Sequence, residues 1–295
     1  MTRSPDSVHT MGTIALVGLL IVLSSPPSWG QGPTREQFAV SFEVASVKAN
    51  MGRPGPNFIR ATPGALFVTN SELRFIIQKA YGIESHFLRF KLIGGSDRIL
   101  HTRFDIQAKV PEGTPAEQIP LMLRSLLAER FKLRIHSEVR PTPVYALTVL
   151  HDGKLGPDFR PSSHDCDAIF SALRAQRKTP SDGIASPRDA RNRPLCWYRQ
   201  TEDPTPPGAW RARSAGSLAR LIADTQAFVD RPIVDATGLA GKFEWQLEFN
   251  PFPPRDSEFP PIYNAFEQQL GLRLQPRTAA FESFVIDSVD LPTPN

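Results

Sequence analysis

Cysteine is nearly missing from this chain of 295 residues, which has only 2. No Cys-x-x-Cys pair exists, so a structural zinc site lacks ligands at defined spacing. Charge of one sign is not in excess either. Lys+Arg total 34 against 30 Asp+Glu, a net charge of +4, and the cations form no local cluster, which excludes a dedicated nucleic-acid binder. Long hydrophobic runs are lacking as well. The main uncharged apolar run, Met11 to Leu23, falls short of the ~20 residues needed to span a bilayer as a helix. With 19 glycines there is no collagen period, and a hydrophobic content of 40% excludes a wholly disordered chain. Proline alone is abundant: 29 residues, nearly twice the average usage of about 5%.

The Met11–Leu23 run follows a short polar segment containing Arg3 and precedes the small residues Ser28 and Gly30. That pattern is a secretory signal peptide, with cleavage expected after Gly30; an uncleaved anchor is the alternative. The expected location is periplasmic or extracellular, with no stable membrane span after cleavage. Export permits oxidation, so Cys166 and Cys196 are expected to form a disulfide. A bridge closing about thirty residues contributes ~3–4 kcal/mol in the loop-entropy account. The alternative is a metal site at His164-Asp165-Cys166-Asp167, which places an imidazole, a thiol and two carboxylates together.

Phe38, Val40, Phe42 and Val44 alternate as in a half-buried strand. Leu73, Ile76, Ile77 and Ala80 have helical spacing and end at Gly82. After Gly94-Gly95, the residues Phe104, Ile106, Ala108 and Val110 alternate as a strand. Thr114-Pro115-Ala116-Glu117 has the form of a capping box, but Pro120 makes the helix begin near itself, after a separate first turn. Leu133 and Ile135, then Tyr145, Leu147 and Val149, read as two strands joined through Arg140-Pro141-Thr142-Pro143. From His151 to Arg213, eight prolines, eleven Lys/Arg and eight Asp/Glu surround one apolar piece, Ala168-Ile169-Phe170, which reads as a long loop. Beyond it, Leu218, Leu221, Ile222 and Thr225 are helical, and Phe243, Trp245, Leu247 and Phe249 form a strand. Ile262, Ala265, Phe266 and Leu270 make a helix ended by Gly271, and Leu272, Leu274, Phe284 and Ile286 suggest a closing hairpin.

The two ordered halves repeat one another. Arg103-Phe104-Asp105-Ile106-Gln107 corresponds to Lys242-Phe243-Glu244-Trp245-Gln246, and at the same offset Leu133, Arg134 and Ile135 correspond to Leu272, Arg273 and Leu274. The expected fold is therefore α+β, with two related small halves of sheet plus helices and an internal duplication behind them. The expected organisation is a signal peptide at 1–30, an N-terminal half at 31–150, a Pro/Arg-rich loop at 151–213 and a C-terminal half at 214–295.

Catalytic patterns are absent. There is no Gly-x-Ser-x-Gly elbow, since Gly94-Gly95-Ser96 lacks the closing glycine, and no His-Glu-x-x-His, phosphate loop or dinucleotide fingerprint. His86, His101, His136 and His151 are scattered singly. Asp105 and Glu244 occupy corresponding positions and could pair for glycoside hydrolysis, although outward strand positions explain them more simply. Trp197, Tyr198 and Trp210 are candidate ligand contacts by stacking, or else cover the disulfide region. No catalytic, metal or cofactor residues are expected.

Phe42-Glu43-Val44-Ala45-Ser46-Val47-Lys48, Leu126-Leu127-Ala128-Glu129-Arg130-Phe131-Lys132-Leu133 and Arg231-Pro232-Ile233-Val234-Asp235-Ala236-Thr237-Gly238-Leu239-Ala240-Gly241 together resemble the soil-associated uncharacterised protein family. Its members are exported proteins with many paralogues in soil bacteria, and their domain has no assigned function. Pro120 and the segment from Pro157 to Pro207 depart from its pattern. Some members carry the domain on a BlaR-type membrane metallopeptidase, so the resemblance implies an envelope protein partner and a sensory or binding role. A polymer ligand is the other expected partner. Each half also resembles, more weakly, the short N-terminal domain of secretins and TonB-dependent receptors, an analogy of fold alone. The expected protein is thus an exported, non-catalytic binding or sensory module, the alternative being a secreted hydrolase.

Overall fold

In the computed structural model the described residues are 40–52, 55, 57–151, 153–176, 210–251 and 259–292, so the expected leader lies outside them. The helical spacing of Leu73, Ile76, Ile77 and Ala80 produces α1 (Leu73–Tyr81), with all four side chains fully buried. Gly82 closes it in the left-handed region, where a side chain would be strained, and its N–H bonds to the Gln78 carbonyl. The apolar face of α1 packs with α4 (Ile119–Arg130) on a sheet of order β1-β5-β3-β2. These strands are β1 (Val44–Ala49), β2 (Phe58–Thr62), β3 (Ala65–Glu72) and β5 (Arg103–Lys109), all antiparallel. Phe104 of β5 meets Phe131 edge to face, with centroids 4.9 Å apart, at the centre of this first lobe.

A separate 3₁₀ turn, Ala116–Gln118, precedes α4. Pro120 falls in the first turn of the helix, where a missing N–H breaks no bond. The capping box does not form: the Thr114 hydroxyl donates to the Pro111 carbonyl at 2.7 Å. The first strand also lies later than expected. Val40 and Phe42 pack on the core outside any strand: β5 ends at Lys109, so beyond the bond from the Glu43 N–H to the Lys109 carbonyl no ladder partner remains.

The second lobe has a sheet of order β7-β10-β8, made of β7 (Phe159–Pro161), β8 (Trp210–Gly216) and β10 (Phe243–Phe249). Over its core pack α6 (Leu218–Thr225) and α7 (Ile262–Ala265), the latter continued by a π-helical turn, Phe266–Leu270. The stretch expected as a loop from His151 to Arg213 is thus partly built. It contributes β7, the start of β8 and α5 (Cys166–Gln176), and Phe159 is fully buried, stacked on Phe243 at 4.7 Å. A three-residue strand among prolines and charges has no periodicity to read. Gly156 explains how its chain passes so close: a Cβ there would lie 2.3 Å from the Gln269 carbonyl oxygen. Its N–H bonds to the Leu270 carbonyl at 2.8 Å.

A two-stranded ribbon joins the lobes, and here two expectations fail. The two strands expected around Pro141 and Pro143 are one, β6 (Arg134–Val149), and the expected closing hairpin is one long strand, β11 (Leu272–Ser288). They pair antiparallel along almost their full lengths. The prolines are tolerated because of parity. The Tyr145 N–H points away from β11, to the Pro232 carbonyl, so the alternate residues Pro143 and Pro141 lack N–H groups only on that outer side. Pro276 lies opposite Tyr145 in the same non-bonded position. Two short strands complete the sheet order β4-β11-β6-β9: β4 (Leu92–Gly94) runs parallel to β11 at Phe284–Ile286, and β9 (Ile233–Asp235) runs parallel to β6 at Tyr145–Leu147. Between β4 and β5 lies the short helix α3 (Asp97–Leu100), and before β4 lies α2 (Leu88–Lys91). Among the described residues no helix is long and apolar enough to cross a membrane.

Candidate functional site

Alternation along β10 sends Phe243, Trp245, Leu247 and Phe249 into the core and leaves Glu244, Gln246 and Glu248 on the outer face. Cross-strand register then sets an arginine beside each. Glu244 lies opposite Arg160 of β7, Gln246 opposite Arg213 of β8, and Glu248 opposite Arg211. Arg160 forms an ion pair with Glu244, and Arg211 reaches Glu248 at 3.0 Å. The Gln246 amide also donates to Glu248, at 3.1 Å. Gln269 anchors the strand by accepting from the Glu248 N–H at 2.8 Å and donating to its carbonyl at 2.7 Å.

Beside this row opens a cleft of about 200 Å³ lined by Pro157, Asp158, Arg160, Arg213, Glu244, Trp245 and Gln246. The backbone of Asp158 is fixed, its N–H bonding to the Gln269 carbonyl at 2.9 Å and its carbonyl accepting from Gln246 at 3.0 Å. Its carboxylate and the Arg213 guanidinium differ from their neighbours. Among the described residues neither takes part in an ion pair, with each other or with any third group. The cleft therefore holds one satisfied pair and two unspent opposite charges.

Two other polar clusters are closed. Tyr263 donates to the Tyr145 hydroxyl at 3.3 Å, Tyr145 donates to Asp230 at 3.1 Å, and the Arg231 guanidinium lies 5.3 Å from the centre of the Tyr145 ring. Burial, and then the bond to Tyr145, raises the Tyr263 hydroxyl well above the usual phenol value, which keeps it a neutral donor. In the first lobe, Asp105 accepts from the Asn50 amide at 3.0 and 3.1 Å and from the Asn70 N–H at 2.7 Å. Asn70 sits at φ 50 and donates from its amide to the Gly55 carbonyl, so this carboxylate organises a loop.

The candidates read from sequence fare unevenly. Asp105 and Glu244 lie on different sheets with different partners and form no carboxylate pair. Trp210 packs its ring on Phe228, with centroids 4.4 Å apart, and belongs to the edge of the second core. Trp197, Tyr198 and Cys196 lie outside the described residues. Cys166 opens α5, fully buried against Ala215. Its neighbours in the alternative metal site do separate work. Asp165 accepts from the Ala168 N–H at 3.1 Å, capping α5, and from Lys242 at 2.8 Å, while Asp167 pairs with Arg220. Among the described residues no group of three or more His, Cys, Asp or Glu side chains is placed to hold a metal ion. Gly94 and Gly95 take positive φ, 79 and 76, but Gly94 ends β4 and the pair leads into α3 rather than into a strand.

Asp158, Arg160 and Arg213 were missed as site residues. The outer row Glu244-x-Gln246-x-Glu248 was legible as the polar side of a strand, but its arginines come from pairings 33 to 84 positions apart in the chain, which no local pattern encodes. No curated protein and no solved structure matches the chain. A family model described as a protein of unknown function, DUF3738, matches residues 74–289, from α1 to the end of β11. The chain belongs to that family.

Proposed function

We propose that the chain is an exported binding module acting without catalysis, in the bacterial envelope or outside the cell, and that its ligand seats in the cleft beside β10. The observation that supports this reading is the pair of unspent charges, Asp158 and Arg213, on a backbone fixed by β7, β10 and Gln269. A preformed site spends little ordering entropy on binding. Related proposals are a Gly30 cleavage site, a Cys166–Cys196 disulfide, an origin of the two halves by duplication, and a membrane metallopeptidase as the partner that reads the bound state. The shared element order supports duplication: strand, helix, short strand, central strand, helix and long ribbon strand occur in both halves.

The test is a titration of the isotopically labelled mature chain with small solutes extracted from bacterial envelopes, followed by amide shifts. Saturable shifts confined to Asp158, Arg160, Arg213 and Glu244 to Gln246 are expected. No saturable shift at these positions would overturn the reading. Turnover of an ester, glycoside or peptide substrate would replace it with the hydrolase alternative.

A further inference from the structure

We infer that the cleft takes a small zwitterion of the α-amino acid class, with its carboxylate on Arg213 and its ammonium on Asp158; this rests on the binding reading above. The charge arrangement carries the argument. Arg160 and Glu244 neutralise each other, and Asp158 and Arg213 add one charge of each sign, so the four ionised side chains of the cleft sum to zero. A solute of net charge would satisfy one unspent group and leave the other facing it unpaired. A simple anion on Arg213 also sits near the carboxylates of Asp158 and Glu244, and a simple cation on Asp158 meets two guanidinium groups. Only a solute bearing both charges at separate ends matches both groups. Arg213 and Asp158 do not form an ion pair with each other, and they flank Gln246, Arg213 opposite it on β8 and Asp158 bonded to it through the backbone, so each keeps its charge for a solute.

Size narrows the class. The cleft, at about 200 Å³, is small for a ligand site. That suits an amino acid with a small side chain and excludes a drug-sized or oligomeric ligand wholly inside, since such pockets run from about 300 Å³ upward. Arginine presents a planar fork matched to a carboxylate, whereas aspartate accepts from an ammonium with either oxygen. Gln246, directly across from Arg213 and with its N–H bonded to the Asp158 carbonyl, ties the two ends together, so their separation is set by the sheet rather than by loop motion.

The probes are L-alanine and its two halves, acetate and methylamine, titrated into the full mature chain, into Arg213→Gln and into Asp158→Asn. Circular dichroism would first confirm that both variants fold. L-alanine should give saturable amide shifts at Asp158, Arg213 and Gln246, with each half-probe at least about tenfold weaker. Each variant should weaken L-alanine by about tenfold or more, with Arg213→Gln also abolishing acetate binding and Asp158→Asn abolishing methylamine binding. Acetate binding as tightly as L-alanine, with Asp158→Asn leaving both unchanged, would make the cleft an anion site and overturn the inference while the binding reading stands. Shifts by the envelope solutes but by none of the three probes would do the same. Silence from every solute overturns both.

Discussion

The centre of each lobe is a strand with the same inward pattern and opposite outward fortunes. β5 and β10 each lie between two antiparallel neighbours and bury a phenylalanine, Phe104 and Phe243, on the helix side. Outward, β5 presents Asp105, whose oxygens are spent on Asn50 and Asn70. Beside Gln107 its neighbours supply Ser46 and Phe67, which bring no charge. β10 presents Glu244, Gln246 and Glu248 to three arginines, one of which has no acid. The lesson is that the first lobe uses its central carboxylate to hold a loop, and the second uses its row to hold a cleft open.

The comparison breaks first if the lobes are independent. Phe104 is fully buried against Phe131, so Phe104→Ala should cost about 3–5 kcal/mol. The described tryptophans, Trp210 and Trp245, both lie in the second lobe. The ribbon and the Arg89 bonds to the carbonyls of Gln226 and Val229 bind the lobes together. Denaturant unfolding followed by tryptophan emission should therefore shift its midpoint as far as far-ultraviolet dichroism does. An unmoved tryptophan transition would show two separately folding units.

A smaller effect separates the two outward carboxylates. Asp105→Ala removes the acceptor of the Asn70 N–H and of the Asn50 amide, and an unsatisfied, largely buried donor costs about 1–3 kcal/mol. Loss of the order of β1's trailing loop should accompany it, seen as faster hydrogen exchange at Asn50, Gly52 and Asn70. If stability holds and exchange is unchanged, the first lobe's carboxylate is as unspent as that of Asp158 in the cleft.

How much of this was legible follows from period and pairing. α1, β5, α6 and β10 were read correctly because their apolar residues recur at 3.6 or 2 positions and the structure buries those same residues. β6 was divided because its prolines read as a break, and β11 because its apolar residues Leu272, Leu274, Phe284 and Ile286 read as the two arms of a hairpin; only the register shows that Pro141, Pro143 and Pro276 fall where no ladder N–H is required. β7 was invisible because one buried Phe159 cannot establish alternation. The cleft was unreadable for a related reason: its acids and bases meet through the register of β7, β10 and β8, a long-range fact.

Next in size is the cap of α5. Lys242 and the Ala168 N–H hold the Asp165 carboxyl below the ordinary value of about 3.9. A depressed carboxylate contributes its stability above the unfolded pKa and loses it as pH falls through the folded one. Asp165→Ala should thus cost about 1 kcal/mol at neutral pH, the usual worth of an N-cap. The difference from the parent should shrink once the pH drops below the folded value, as thermal unfolding across that range would reveal. A penalty that does not vary with pH would mean that packing, not charge, ties α5 to the second lobe.

The smallest stability effect and the sharpest functional one should come from Glu244→Gln. Its pair with Arg160 is a surface pair, the Arg160 side chain being 65% exposed, and such pairs contribute about 0–1 kcal/mol. The unfolding midpoint should scarcely move, in contrast to Asp105→Ala. The cleft, however, passes from neutral to net positive, because Arg160 then joins Arg213 without a carboxylate beside it. Acetate should gain on L-alanine in a competitive titration, and the gain should fade with added salt, since exposed charges are screened over a Debye length of about 8 Å at physiological ionic strength. An unchanged ratio of acetate to L-alanine binding would show that Glu244 does not set the charge balance of the cleft, and that the outer row of β10 is as purely structural as that of β5.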